Sequence, residues 1–166
     1  MTAAPLGESH LLVDGWLRQI GAQAGFPLQL DAQGVGAVGH LSGLDCGIEV
    51  DEARRLVFLT VPLMPWPSQP PAVLAHRCLQ AHFLGLDTAG GSFAVDDQTR
   101  ELVLWKSLPL ERFDAPSFGE ELASFLDAAQ GWRDDLMSPQ ASLSGSEGMA
   151  QDAYTGLGTP LTLGLA

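Results

Sequence analysis

Cys78 and His82 are the nearest thing in this sequence to a nucleophile with its base. They stand four residues apart, a spacing that puts both side chains on one face of a helix. The same face carries Leu74, Ala75 and Leu79, so the pattern reads as a core thiol, and two such groups are too few for a metal site. His76 points about 120° away from His82 at helical spacing, and His10 and His40 are isolated. Asp96-Asp97 and Asp134-Asp135 offer carboxylates for acid–base work, but neighbours on a strand or helix face different ways, and both pairs fall at turns or element ends. Gly34, Gly36 and Gly39 spell G-x-G-x-x-G, yet the run leads into His40, Leu41 and Ser42 and not into a helix, so no helix N-terminus receives a phosphate. No catalytic residue, metal site or cofactor is expected.

The elements around these residues follow from periodicity. Residues 9–24 predict an amphipathic helix, with Ser9 as N-cap, Leu12, Val13, Trp16, Leu17 and Ile20 on one stripe, and Gly25 with Pro27 to end it. Residues 28–30 and 35–41 predict a glycine-broken strand. Residues 44–50 alternate Leu44, Cys46, Ile48 and Val50 with polar or small neighbours, and 56–63 follows as a hairpin partner. Five prolines between 62 and 71 predict a loop. A helix over about 71–85 has so little polar surface that it must be covered on more than one side. A hairpin over 93–96 and 101–110 comes next, then a helix over about 117–136 with a capping box of Ser117 and Glu120. The order is helix, three strands, helix, two strands, helix: an α+β domain over 1–137 with a mostly antiparallel sheet. Residues 138–166, rich in Ser and Gly and free of Lys and Arg, read as a flexible tail.

Composition excludes several functions. The chain has 166 residues, and its 20 Asp and Glu against 8 Lys and Arg give a net charge of −12. Nucleic acid and anionic membrane surfaces need clustered cations, and here the single lysine, Lys106, stands among scattered arginines. Cys46 and Cys78 form neither a disulfide framework nor a paired C-x-x-C. The first residues lack the basic and apolar regions of a secretory signal, and no run of about 18 apolar residues predicts a membrane span. A cytoplasmic protein with reduced thiols is expected.

One pattern asks for a partner. Residues 56–63 place Leu56 and Phe58 on one face and Val57, Leu59, Val61 and Leu63 on the other, and 102–105 repeats this with Leu102 and Leu104 against Val103 and Trp105. An antiparallel sheet with one wet face alternates apolar and polar residues, and these strands do not. Three helices can cover one face, which leaves apolar surface for another chain.

The layout resembles the Tir chaperone (CesT) family, the class I chaperones of type III secretion. The resemblance runs over about residues 9–136. It rests on the helix Leu-Leu-Val-Asp-Gly-Trp-Leu-Arg-Gln-Ile-Gly, the run Ile-Glu-Val-Asp-Glu into Leu-Val-Phe-Leu-Thr-Val-Pro-Leu, the strand Leu-Val-Leu-Trp-Lys-Ser-Leu-Pro-Leu before the last helix, and Phe-Leu-Asp-Ala-Ala-Gln-Gly-Trp within it. The Pro-rich loop and the tail depart from a minimal member. The resemblance implies a bacterial cytoplasmic homodimer, associated with virulence, that keeps the N-terminal segment of one or more effectors ready for secretion without ATP. It also names the secretion ATPase as a candidate partner. It implies a dimer interface at Leu74, Cys78, Leu79, Phe83, Phe93 and Val95, and effector grooves at Leu12, Trp16, Leu30, Val38, Ile48, Leu59 and Val61. A regulatory or adaptor protein of the same α+β shape is the competing expectation.

Overall fold

The computed structural model describes residues 7–39 and 43–138. The elements are α1 (Glu8–Ala24), β1 (Val35–Gly39), β2 (Asp45–Asp51), β3 (Leu56–Pro65), α2 (Ala72–His82), β4 (Ser92–Asp96), β5 (Glu101–Pro109) and α3 (Ala115–Met137). The five strands form one sheet in the order β1-β2-β3-β5-β4, and every neighbouring pair is antiparallel. The fold is therefore the expected α+β arrangement. The predicted tail, apart from Ser138, lies outside the described residues.

The core lies between the sheet and the long helices. α3 packs on β3 and on α1, and α1 also reaches β2. Cys46, Ile48, Val57, Leu59, Val61 and Leu104 point from the sheet into this layer and are sealed from solvent. Phe118 and Phe125 of α3 meet them, and Trp16 of α1 lies 5.5 Å from Phe118 ring to ring. On the opposite face Phe58 and Trp105 pack 6.3 Å apart and are half-buried. The doubly apolar pattern of β3 and β5 thus pairs their outward residues with each other.

Four local expectations are corrected. α1 begins at Glu8, so Ser9 is not its cap. The carboxylate of Glu52, in the turn after β2, accepts from the N–H groups of Ser9 (3.0 Å) and His10 (3.1 Å) in its place. Residues 28–30 form no strand. Leu30 donates its N–H to Asp14 of α1 (2.9 Å), and Leu28 and Leu30 plug the core. β3 runs to Pro65, through two prolines, because β2 pairs with it only as far as Thr60 and a β-bulge follows Pro62. α3 starts at Ala115, capped by Asp114. Asp114 accepts from the Ser117 N–H (3.0 Å) and Ser117 Oγ accepts from the Asp114 N–H (3.0 Å), so Ser117 is the second member of the box and Glu120 is outside it.

Candidate functional site

α2 is short and sits against β4. Within one chain it buries only Cys78 and Ala81. The expectation that this helix is covered on more than one side is not met by its own chain. Leu79 is 73% exposed, and the segment after the helix shows Phe83 (74%), Leu84 (74%) and Leu86 (80%). Val73 and Val95 are also exposed. Leu74 and Phe93 are half-buried and rest on the core. Of the six residues expected at a dimer interface, Leu79, Phe83 and Val95 lie open, Leu74 and Phe93 sit beneath them, and Cys78 forms the floor.

Polar ties from α3 hold this surface in place. Arg77 of α2 pairs with Asp135 and lies over the Trp132 ring, 5.7 Å from its centre. Trp132 donates its ring N–H to the Asp87 carbonyl (2.7 Å) and meets Phe93 edge-on at 5.0 Å. These contacts were not legible in the sequence, because they join residues about forty to sixty positions apart.

The chemical candidates do not assemble. Cys78 and His82 line one hollow between α2 and β4, and among the described residues no hydrogen bond joins them. Burial raises the thiol pKa of Cys78, and burial pushes Cys46 up to about 12, so neither favours a thiolate. Asp96 accepts turn N–H groups from Gln98 and Thr99, Asp134 accepts from Gln130, and Asp135 is taken by Arg77. Gly34 and Gly36 lead into a strand. Among the described residues no group of three His, Cys, Asp or Glu could hold a metal ion.

The seven residues expected to contact an effector differ in exposure. Leu12 is 38% exposed on α1. Trp16, Leu30, Val38, Ile48, Leu59 and Val61 are buried core residues in the single chain. A side chain already out of water has no further area to bury against a partner.

What lies open near α1 is Leu11, Leu12, Phe26 and Val35, together with the edge of β1. Asp31 fixes that edge. Its N–H donates to the Val35 carbonyl (2.7 Å) and its side chain accepts from the Val35 N–H (2.9 Å), so the backbone groups of Val35 point away from β2. Ladder groups alternate, and Ala37 and Gly39 therefore point the same way, with no partner among the described residues.

Exposed apolar side chains at α2 and near α1, with an open edge at β1, are what the described residues offer to a partner. The sequence profile of the Tir chaperone protein (CesT) family matches residues 15–133, and the chain belongs to that family. No curated protein sequence matches it. Among solved structures it is similar to the HopA1–SchA chaperone–effector complex, with 23% identity, 78% of this chain and 99% of the other covered, and a TM-score of 0.64. The ExsC–ExsE complex matches at 18% identity, 77% and 95% coverage and a TM-score of 0.64. The heterodimeric ExoU–SpcU complex of the Pseudomonas aeruginosa type III secretion system matches at 23%, with 75% and 93% coverage and a TM-score of 0.56. These likenesses establish the fold. Among the described residues no helix is long and apolar enough to cross a membrane.

Proposed function

We propose that this chain is a type III secretion chaperone that acts as a homodimer in the bacterial cytoplasm. It binds the N-terminal segment of one or more effectors and holds it extended, ready for secretion. Holding a segment is equilibrium binding, so no ATP and no catalytic group is involved. The observation that carries the reading is the apolar surface that the chain's own helices leave open, in a member of a chaperone family.

Two surfaces divide the work. The α2–β4 face, with Leu79, Phe83 and Val95 over Leu74, Cys78 and Phe93, joins two copies. The α1 side, with Leu11, Leu12, Phe26 and Val35, takes apolar effector side chains, while the outward backbone of Ala37 and Gly39 accepts an added strand. The shared fold of the HopA1–SchA chaperone–effector complex and the heterodimeric ExoU–SpcU complex of a type III secretion system supports the reading. The secretion ATPase is a further partner for the loaded dimer.

The test is co-expression of the tagged chain in a secretion-competent host. The expected result is a dimer on light scattering that retains an effector through its N-terminal segment, and loss of that effector's secretion when the chaperone gene is deleted. A monomer that retains no secreted protein overturns the reading. A dimer that binds only folded proteins supports the adaptor alternative.

A further inference from the structure

The segment after α2 is built in a way that a flat dimer face does not require. Between residues 83 and 91 four residues are left-handed: Leu84 (φ 62°), Gly85 (66°), Ala89 (49°) and Gly90 (74°). Leu84 and Ala89 carry side chains that disfavour this region, and such strain persists only where the surroundings over-determine it. Here they do. Thr88 is fully buried and donates its hydroxyl to the Gly91 carbonyl (2.7 Å). Trp132 of α3 donates to the Asp87 carbonyl, and Lys106 of β5 donates to the Ala89 carbonyl while pairing with Glu121 of α3. The base of the segment is tied down by β5 and α3, and its tip holds Phe83, Leu84 and Leu86 out in water. Fixing apolar groups in place before contact lowers the ordering cost of binding, which suits a knob that a receptor receives.

The receptor lies on the same face. The hollow between α2 and β4 is lined by Trp66, Ala75, Cys78, Leu79, Phe93 and Val95, and also by His82, the residue next to Phe83 in the chain. A knob and a hollow side by side satisfy each other across a twofold axis, where each contact occurs twice. Charge favours a second copy as the occupant. The chain carries −12, which would keep two copies apart, yet no Asp or Glu occurs between Glu52 and Asp87, the stretch that holds the knob and most of the hollow.

We propose that two copies exchange knobs, Leu84 and Leu86 of each entering the hollow of the other, with Lys106 as the positioning residue that sets the knob from outside the contact. The proposal deepens the homodimer reading and rests on it.

Complementation in the full-length chain tests it. One variant removes the knob, Leu84→Asn with Leu86→Ala, where asparagine tolerates the left-handed backbone. The other fills the hollow, Ala75→Trp, at an exposed helix position. Each alone loses both contacts and is expected to weaken self-association by on the order of a hundredfold or more. Mixed, they restore one contact, because the intact knob of the filled copy enters the open hollow of the knobless copy. Native mass spectrometry of differently tagged variants is then expected to show the mixed dimer above either self-dimer. Lys106→Met is expected to weaken wild-type association by about tenfold, with recovery in Lys106→Arg, which keeps donors in place. A wild-type dimer whose variants pair as well alone as mixed overturns the exchange and leaves the dimer reading standing. A wild-type monomer overturns both. Circular dichroism on dilute variants checks folding, and an unchanged melting curve with lost dimer supports the exchange.

Discussion

Leu79→Ala isolates the α2 face from the fold. Leu79 is 73% exposed in the single chain, so the substitution removes little that the monomer has buried. In the proposed dimer that side chain leaves water. Burying a whole leucine contributes about 1.5–3 kcal/mol, and 73% of that is roughly 1.1–2.2 kcal/mol per copy. Twofold symmetry doubles it to about 2–4 kcal/mol per dimer, or roughly 30- to 900-fold in Kd. The figure is a ceiling, reached when the partner covers Leu79 completely. Sedimentation equilibrium over a dilution series reads the change in Kd, and thermal unfolding at a concentration where monomer dominates reads the fold. The expected outcome is a large shift in the first and a melting temperature within a few degrees of the parent in the second. An unchanged Kd in a protein that dimerises refutes this use of α2. A collapse of the dilute melting curve refutes the premise that Leu79 contributes nothing to the monomer core.

Other perturbations probe the ties and the strand edge. Lys106→Met leaves Glu121 and the Ala89 carbonyl without their donor in a half-buried setting; a loss of about 1–3 kcal/mol is expected, with part of it recovered when Glu121→Met is added, as a double-mutant cycle on denaturant unfolding reads out. Several carboxylates are held below their ordinary pKa: Glu52 by the Ser9 and His10 N–H groups, Asp114 by the Ser117 hydroxyl and N–H, Asp96 by the Gln98 and Thr99 N–H groups. A lowered folded pKa contributes stability that is complete above the unfolded value and lost as pH falls through the folded one, so melting temperature is expected to drop below about pH 4, less steeply in Glu52→Ala. With its pKa pushed to about 12, Cys46 is expected to react with a thiol reagent at pH 8 only on the timescale of unfolding, and after Cys78. Ala37→Pro removes an outward N–H that the sheet does not use, so it is expected to spare the fold on circular dichroism and to weaken capture of a strand-forming effector segment in a titration.

The strong periods translated directly. Val13, Trp16 and Leu17 gave α1, Phe118, Leu122, Phe125 and Leu126 gave α3, and Cys46 with Ile48 gave the inward face of β2. Features that depended on distant groups did not. The cap of α1 is Glu52, more than forty positions along the chain from the N–H groups it accepts, and a serine at the right place masked it. Leu28 and Leu30 alternate like a strand, but three residues are a weak pattern; the Leu30 N–H goes to Asp14, and the chain then enters the turn that Asp31 builds. Asp114 and Ser117 lie close in sequence, and either could open α3; Pro116, acceptable only in a first turn, was the signal that favours Asp114.

The binding surfaces show why a pattern of dry positions does not name what keeps them dry. Ile48, Leu59 and Val61 are apolar at every second position, and that alternation is the same whether α1 and α3 cover the face or a partner does. In the single chain the helices α1 and α3 lie over Ile48, Leu59 and Val61. α2 presents the converse case. Its excess of apolar residues has no intramolecular cover, since Cys78 and Ala81 alone are buried while Leu79 stands open. Subtracting what the chain buries by itself from what its sequence makes apolar leaves residues near α1 and a more exposed group at α2 and the segment after it, and only the second lies in the stretch free of acidic residues. Apolar excess and the absence of acidic residues are distinct properties of a sequence, and their coincidence between residues 72 and 86 is the physical reason to place the second copy there.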